Sequence, residues 1–482
     1  MRKIPSDLRW EHAREKMKQI GNCGSKHLMA MLLVTILAGC GGDNADYATT
    51  SAGTAAALSV DPPAESASVD TKAAQPVSIS TSAADAEPAS EDAATARVSA
   101  VATTNTLRGL GGGVTGGGSG KVQHVTTPAG LRQALCSNIV GGICEDDTPR
   151  VISVDAMIDF AGTERTGQVS GCYYSMLPGC VARDELALFN PADTHCNGVP
   201  KFTLSYDKAG RDNLLVGSNK TLVGKAGGKA GIRGAGLAML GGVHNIIIRN
   251  LTIGYVNDGI IFAGDAVILG NTKDVWLDHN RFSHIGRQMI VSGWEANSAA
   301  RNVTVSWNDF DGRTNYSPRC DGSHYWNFLL TGQSETFVFA YNWIHQFSGR
   351  APAVHGKNQF VHLMSNYFQD GTYHALEAFA TNAVLVEGNY FSNVKIPILQ
   401  NTGNRGAVYA PLQPLTSQAK ADCISALGRS CSRNVVASSG TNDFTADAYV
   451  LRRASTLQPS LPSPSAGAAS LPGLLPGNVG PK

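Results

Sequence analysis

Val275-Trp276-Leu277-Asp278-His279-Asn280-Arg281-Phe282 sets a pattern that the chain repeats four more times. Its general form is apolar-x-apolar-x-x-Asn-x-apolar. The later copies are built on Val303, Val305, Asn308 and Phe310; on Phe337, Phe339, Asn342 and Ile344; on Val361, Leu363, Asn366 and Phe368; and on Val384, Val386, Asn389 and Phe391. The asparagines recur at intervals of 28, 34, 24 and 23 residues. Period-two alternation of apolar residues marks each unit as a strand. A self-similar unit of this length marks a stack of rungs, with loops of variable size inserted on one side. A single such strand cannot bury its apolar face, whereas stacking builds a continuous core in which each rung touches its neighbours. Asn tolerates a left-handed backbone and bonds locally, so it is expected at the bend between strands, and stacked Asn side chains can pair along the ladder. The predicted fold is therefore all-β, a single-stranded right-handed parallel β-helix with long loops on one side. A β-sandwich is the alternative, but its strands do not ordinarily repeat one template five times.

Composition bounds the rest of the chain. Of 482 residues, 39 are Lys or Arg and 38 are Asp or Glu, a balance that argues against a nucleic-acid partner. The 53 glycines suit a turn-dense β protein. Residues 29–40 form an apolar stretch of signal-peptide length, too short to span a bilayer, ending in Leu37-Ala38-Gly39-Cys40. That ending resembles a bacterial lipobox, so residues 1–40 are expected to be a signal peptide. Cys40 would then be lipidated and anchored to the outer membrane; ordinary secretion is the alternative. The leader is long, and Met17 would give a more usual start. Residues 41–107 are rich in Ala, Ser and Thr and nearly free of large apolar side chains, which predicts a disordered tether. The folded domain is expected over 108–456. Residues 457–482, rich in Pro and Ser, are expected to be a disordered tail. Eight cysteines remain beyond Cys23 and Cys40: Cys136, Cys144, Cys172, Cys180, Cys196, Cys320, Cys423 and Cys431. An even count in an exported chain predicts four disulfides. Spacing leaves the connectivity open, and no close Cys/His quartet suggests zinc.

Five stretches carry a family resemblance. They are Gly111 to Gly118, which reads Gly-Gly-Gly-Val-Thr-Gly-Gly-Gly; Gly264-Asp265-Ala266 through Trp276-Leu277-Asp278-His279; Ile285-Gly286-Arg287-Gln288; Cys320-Asp321-Gly322-Ser323-His324-Tyr325-Trp326; and Ser348-Gly349-Arg350-Ala351-Pro352. Together they resemble the pectin lyase branch of the pectate lyase superfamily, polysaccharide lyase family 1. The resemblance implies β-elimination on α-1,4-linked galacturonan. A base takes the C5 proton, and the bond to O4 of the neighbouring sugar breaks. It assigns Arg350 as the base, with Arg287 close by and Asp265 orienting or charge-balancing the arginines. A free guanidinium is ordinarily protonated, so this role needs help from nearby cations or from burial under substrate. The resemblance also implies pairing of Cys172 with Cys196, Cys180 with Cys320 and Cys423 with Cys431, leaving Cys136 with Cys144.

The branch follows from what stands where calcium-dependent relatives carry acids. Calcium wants six to eight oxygen ligands. Ala263 occupies one such position and leaves Asp265 alone, while Arg287 and Val291 stand near where further acids are expected. A cation in place of the ion can offset charge developing on the substrate without metal. A methyl ester also accepts that charge more readily than a carboxylate. The reading is thus a metal-independent pectin lyase, needing no cofactor and acting as a monomer on methyl-esterified homogalacturonan. Aromatic contacts to sugar and ester are expected from Trp326, Tyr325, Phe262 and Trp294. His355, Phe262 and Ala353 depart from residues common in related enzymes. The alternatives are a calcium-dependent pectate lyase; a glycoside hydrolase on the same scaffold, which would want paired carboxylates that are not found around Arg350; and a non-catalytic polysaccharide binder.

Overall fold

Each repeat of the sequence template is one rung of a coil. The computed structural model describes residues 113–177, 186–188, 196–293, 298–400, 404–441, 443–457 and 461–482. The signal peptide, Cys40 and the tether lie outside them. Ten parallel strands make the first sheet, running from Val122–Val125 through Thr272–Asp278, Ala300–Ser306, Thr336–Ala340 and Phe360–Met364 to Ala407–Tyr409. After a sharp corner the chain enters a second parallel stack, including Arg281–Ile285, Asp309–Asp311, Trp343–Phe347 and Tyr367–Ala378. A longer corner then leads to a third, including Val267–Gly270, Ile290–Ser292, Phe328–Leu330 and Ala353–Val354. The second and third stacks merge into one 15-stranded sheet because Tyr367–Ala378 runs without a break through both. The result is the expected right-handed parallel β-helix.

The template's apolar positions point into the coil. Val275, Leu277, Phe282, Val303, Val305, Phe310, Phe337, Phe339 and Ile344 all belong to one core that runs the length of the coil. Phe282 stacks on Phe310 at 4.9 Å and Phe368 on Phe391 at 4.7 Å, with Ile344 on the rung between the two pairs. The asparagines form a buried ladder at the sharp corner. Nδ2 of each donates to Oδ1 of the next, from Asn280 to Asn308 at 3.1 Å, Asn308 to Asn342 at 3.0 Å, Asn342 to Asn366 at 2.9 Å and Asn366 to Asn389 at 3.0 Å. The ladder continues to Asn434, a rung disguised in the sequence by the helix Ser417–Leu427 inserted before it. One expectation needs correction. The left-handed residue is not the Asn but the residue before it, namely His279, Trp307, Tyr341, Ser365 and Gly388. That kink turns each amide inward, and the Asn itself stays in ordinary backbone space.

The C-terminal segment also departs from its expected disorder. Leu471, Leu475 and Val479 are buried against Val338, Ala340 and Met364 of the first sheet and against Tyr341 and Tyr367 beside it. Tyr341 Oη contacts Ser465 Oγ at 2.7 Å and accepts the Ser465 N–H. Gly480 N–H donates to the Trp307 carbonyl at 3.0 Å. The segment is rich in Pro and Ser, but its few apolar residues, with Leu457, Leu461 and Leu474 partly buried beside the three, cover an apolar sheet face. Disulfides join Cys136 to Cys144, Cys172 to Cys196 and Cys423 to Cys431, as expected. Cys320 is disulfide-bonded as well, and its expected partner Cys180 lies outside the described residues.

Buried polar groups make the coil testable at two points. Asn342→Leu keeps the volume but strands the Asn308 donors and the Val305 carbonyl in the interior, and it takes one donor from Asn366 Oδ1. It should cost about 3–5 kcal/mol in urea denaturation; a loss below about 1 kcal/mol would show that the ladder adds nothing to stability. The second point is Glu335, buried at the corner between the third stack and the first sheet, where Ala300 N–H and Ser292 Oγ donate to it at 2.9 and 2.8 Å. Burial pushes its carboxyl up from 4.5 to about 7 against those hydrogen bonds. The folded state therefore binds the proton more tightly than the unfolded one. Stability from this group rises as pH falls from about 7 to 4.5. Melting temperatures of wild type relative to Glu335→Gln should climb over that window, and a fall would contradict the assignment.

Candidate active site

The corners leading from the second stack to the third span 257–266, 286–289, 312–327 and 348–352, and the first and third of these are long. Because rungs stack in register, these corners lie one above another, and they carry Phe262, Asp265, Arg287, Tyr325, Trp326 and Arg350. Beside them the third stack turns a registered row outward: Ala238, Ile268, Val291, Leu329, Ala353 and then Glu377. A cleft of about 250 Å³ opens where Arg287, Gln288, Trp326 and Arg350 meet Phe262 and Leu329.

The two arginines in this cleft have different partners. Arg287 is clasped by Asp265, with Nε to Oδ1 at 2.8 Å and Nη2 to Oδ2 at 2.6 Å. Gln288 N–H adds a third hydrogen bond to the same carboxylate. Burial works against the charged guanidinium, but the charge and hydrogen bonds of Asp265 outweigh it and hold the Arg287 pKa above its ordinary value. Asp265 is buried and its oxygens are committed to this pair. Arg350 has no carboxylate partner among the described residues, and its Nε is buried without a hydrogen bond to any of them. Its guanidinium lies 5.4 Å from the centre of the Tyr325 ring. Gly349 makes that approach possible, because a Cβ there would come within 2.4 Å of the ring. Arg350 itself has φ of 49°, a left-handed conformation rarely taken by a side-chain-bearing residue.

The motif around Cys320 and Trp326 builds the scaffold of the site. His324 Nε2 donates to the carbonyls of Arg287 and Trp326, at 2.7 and 3.0 Å. Burial pulls its pKa down to about 4, so the imidazole is neutral at ordinary pH. Asn327 Nδ2 holds the Gly349 carbonyl at 2.7 Å, and Phe328 N–H holds that of Arg350 at 2.6 Å. Asp321 accepts from Ser317 Oγ and Thr372 Oγ1, tying the loop to a later rung.

The aromatic residues divide in role. Phe262 packs under Arg287, 5.3 Å from ring centre to guanidinium carbon. Tyr325 is the platform of Arg350, so its ring face is taken. Trp326 is 5 % exposed, packed with Ile261 and the Cys172–Cys196 bridge, and it offers the cleft little of its surface. Trp294 lies outside the described residues. Sequence reading missed Tyr174 and Met176, which close one side of the cleft. They follow the strand Thr166–Tyr173, which belongs to no repeat. It also missed Gln288, whose buried side-chain amide has no hydrogen-bond partner among the described residues. His355 bonds Glu377 at 3.0 Å. Among the described residues no group of three or more His, Cys, Asp or Glu is placed to hold a metal ion.

Residues 197–427 match the pectate lyase family. A probable pectin lyase F of Neosartorya fischeri is 40% identical over 74% of this chain and 90% of its own length. A probable pectin lyase E of Aspergillus fumigatus is 39% identical over the same shares. A solved pectate lyase from Bacillus sp. N165, in complex with trigalacturonate, aligns with a TM-score of 0.49 and 19% identity over 77% of this chain and 98% of that one. Identity of 40% across nine-tenths of a relative places this chain in the pectate lyase superfamily, on its pectin lyase branch.

Proposed function

We propose that the protein is a pectin lyase that cleaves methyl-esterified α-1,4-galacturonan by β-elimination, with Arg350 as the base. The observation that carries this is the unequal pairing of the two cleft arginines. A base must be free to exist without its proton. Arg287, clasped by Asp265, is pinned as a cation, whereas Arg350 has no carboxylate among the described residues to pin it. Neutral Arg350 takes the C5 proton of the ring whose carboxyl is esterified. The C5–H electron pair becomes the C4–C5 double bond as the C4–O4 bond breaks. O4 takes a proton from solvent, and Arg350 returns its own to solvent. While the proton is in flight, charge spreads onto the ester carbonyl, where a fixed cation such as Arg287 stabilises it.

The same residues argue for metal independence. Asp265 gives its oxygens to Arg287 and to the Gln288 N–H, so it has little left for a calcium ion, which needs several oxygen ligands. Arg350→Ala should fold normally and lose activity by orders of magnitude, followed by ultraviolet absorbance of the unsaturated product; retention of more than about a tenth of the rate would remove the base assignment. Wild type should cleave highly esterified pectin in excess chelator and act poorly on polygalacturonate. Loss of activity in chelator, restored by calcium, would place the enzyme with calcium-dependent pectate lyases.

The disulfides fit an exported protein. We infer that it is a monomer, held to the outer membrane by lipid on Cys40 through the tether. Detergent-sensitive sedimentation with membranes, lost in Cys40→Ser, is the expected result; wild-type protein wholly in the culture medium would favour plain secretion.

A further inference from the structure

His374 belongs to the rung after Arg350, within the strand Tyr367–Ala378. That strand contains a bulge. Gly371 pairs with Val394 but His374 with Ile396, so one extra residue is accommodated between them. A bulge re-aims the side chains that follow it. Beyond it, the strand pairs with the Arg350 loop: Ala351 N–H donates to the Ala375 carbonyl, and Glu377 N–H to that of Pro352, both at 2.9 Å. His374 is thereby placed beside the Arg350 backbone, where its Nε2 accepts the Arg350 N–H at 3.3 Å.

We propose that His374 is a positioning residue for Arg350, holding the base in its left-handed conformation through this hydrogen bond. The inference rests on Arg350 being the base. The strain of the left-handed backbone must be offset by neighbours that fix it, and two do so. Phe328 N–H binds the Arg350 carbonyl on one side, and His374 Nε2 takes the N–H on the other. With the backbone fixed, the side chain leaves toward the Tyr325 ring, whose edge contact with His374 at 5.9 Å closes the triangle. The role demands an unprotonated Nε2, and the surroundings supply one. Burial lowers the His374 pKa to about 4; Glu377 opposes this, while Arg350, Arg319 and His355 add to it. Tyr373 and Tyr325 cover the ring edgewise. The proton then sits on Nδ1, which is buried without a hydrogen-bond partner among the described residues. A residue kept only to fill space would not need a nitrogen directed at a backbone N–H.

The test compares two variants of similar size, one with an acceptor and one without. His374→Leu should lose about 10²-fold in kcat with KM nearly unchanged, because substrate contacts remain while the base is misplaced. His374→Gln, whose Oε1 can accept the same N–H, should recover most of that loss. Equal kcat in the two variants, whether both high or both low, overturns the proposal. A second measurement uses His374→Ala, which leaves a ring-sized space. Added imidazole should raise its kcat without moving KM, and no response counts against the positioning role. Arg350→Ala assayed alongside separates the two ideas. If it retains wild-type rate, the base assignment fails; if it is inactive while His374→Leu is fully active, the positioning role alone fails.

Discussion

An amide buried between two others has no water to replace a lost partner. Each ladder Asn, from Asn280 to Asn389, donates to the side-chain oxygen of the next Asn and also binds a backbone carbonyl one rung back. Asn434 closes the series on the Val386 and Pro411 carbonyls. A slip of one residue in any strand would break several of these bonds together and turn its apolar face outward. The ladder therefore fixes the register of the rungs it spans. The opposite corners inherit that register, and loops of different lengths still begin and end at the same position on every rung. This is how Asp265, Arg287, Trp326 and Arg350, far apart in sequence, come to share one cleft.

The fold was legible because the ladder writes itself into the sequence as a spaced Asn within alternating apolar residues. Its limits were legible less well. Asn434 carries the same chemistry, but a helix and a disulfide loop displace it from the repeat interval. The left-handed turn before each Asn is taken by His, Trp, Tyr, Ser and Gly in turn, so it leaves no residue signature. The terminal segment read as disordered because Leu471, Leu475 and Val479 are few, yet their partner is an apolar sheet face that composition cannot reveal.

The site divides the same way. Asp265, Arg287 and Arg350 were legible through motif resemblance. That Asp265 clasps Arg287 while Arg350 packs on Tyr325 was not, since it depends on geometry. Tyr325 was expected to touch sugar but lies beneath Arg350, and Trp326 is spent largely on packing. His374 stands outside the motifs and reaches Arg350 only because a bulge turns it there. Residues that act through another residue's backbone leave little trace in sequence, because the contact is made with an atom nearly every residue has.

The contrast between Arg287 and Arg350 also bears on substrate choice. Asp265 shows what a carboxylate does to a guanidinium in this cleft: with two short hydrogen bonds it holds the cation in place. A free galacturonate carboxylate next to Arg350 would act likewise, forming an ion pair strengthened by the low-dielectric surroundings. The arginine would bind substrate well and, for that reason, be unable to accept a proton. A methyl ester offers a carbonyl oxygen but no net charge, so it can be held without fixing Arg350 as a cation. A metal ion that neutralised the carboxylate would be one solution to this difficulty. Esterification is another. A preference for a neutral substrate then needs no dedicated specificity pocket, because it follows from an arginine that has no carboxylate partner among the described residues.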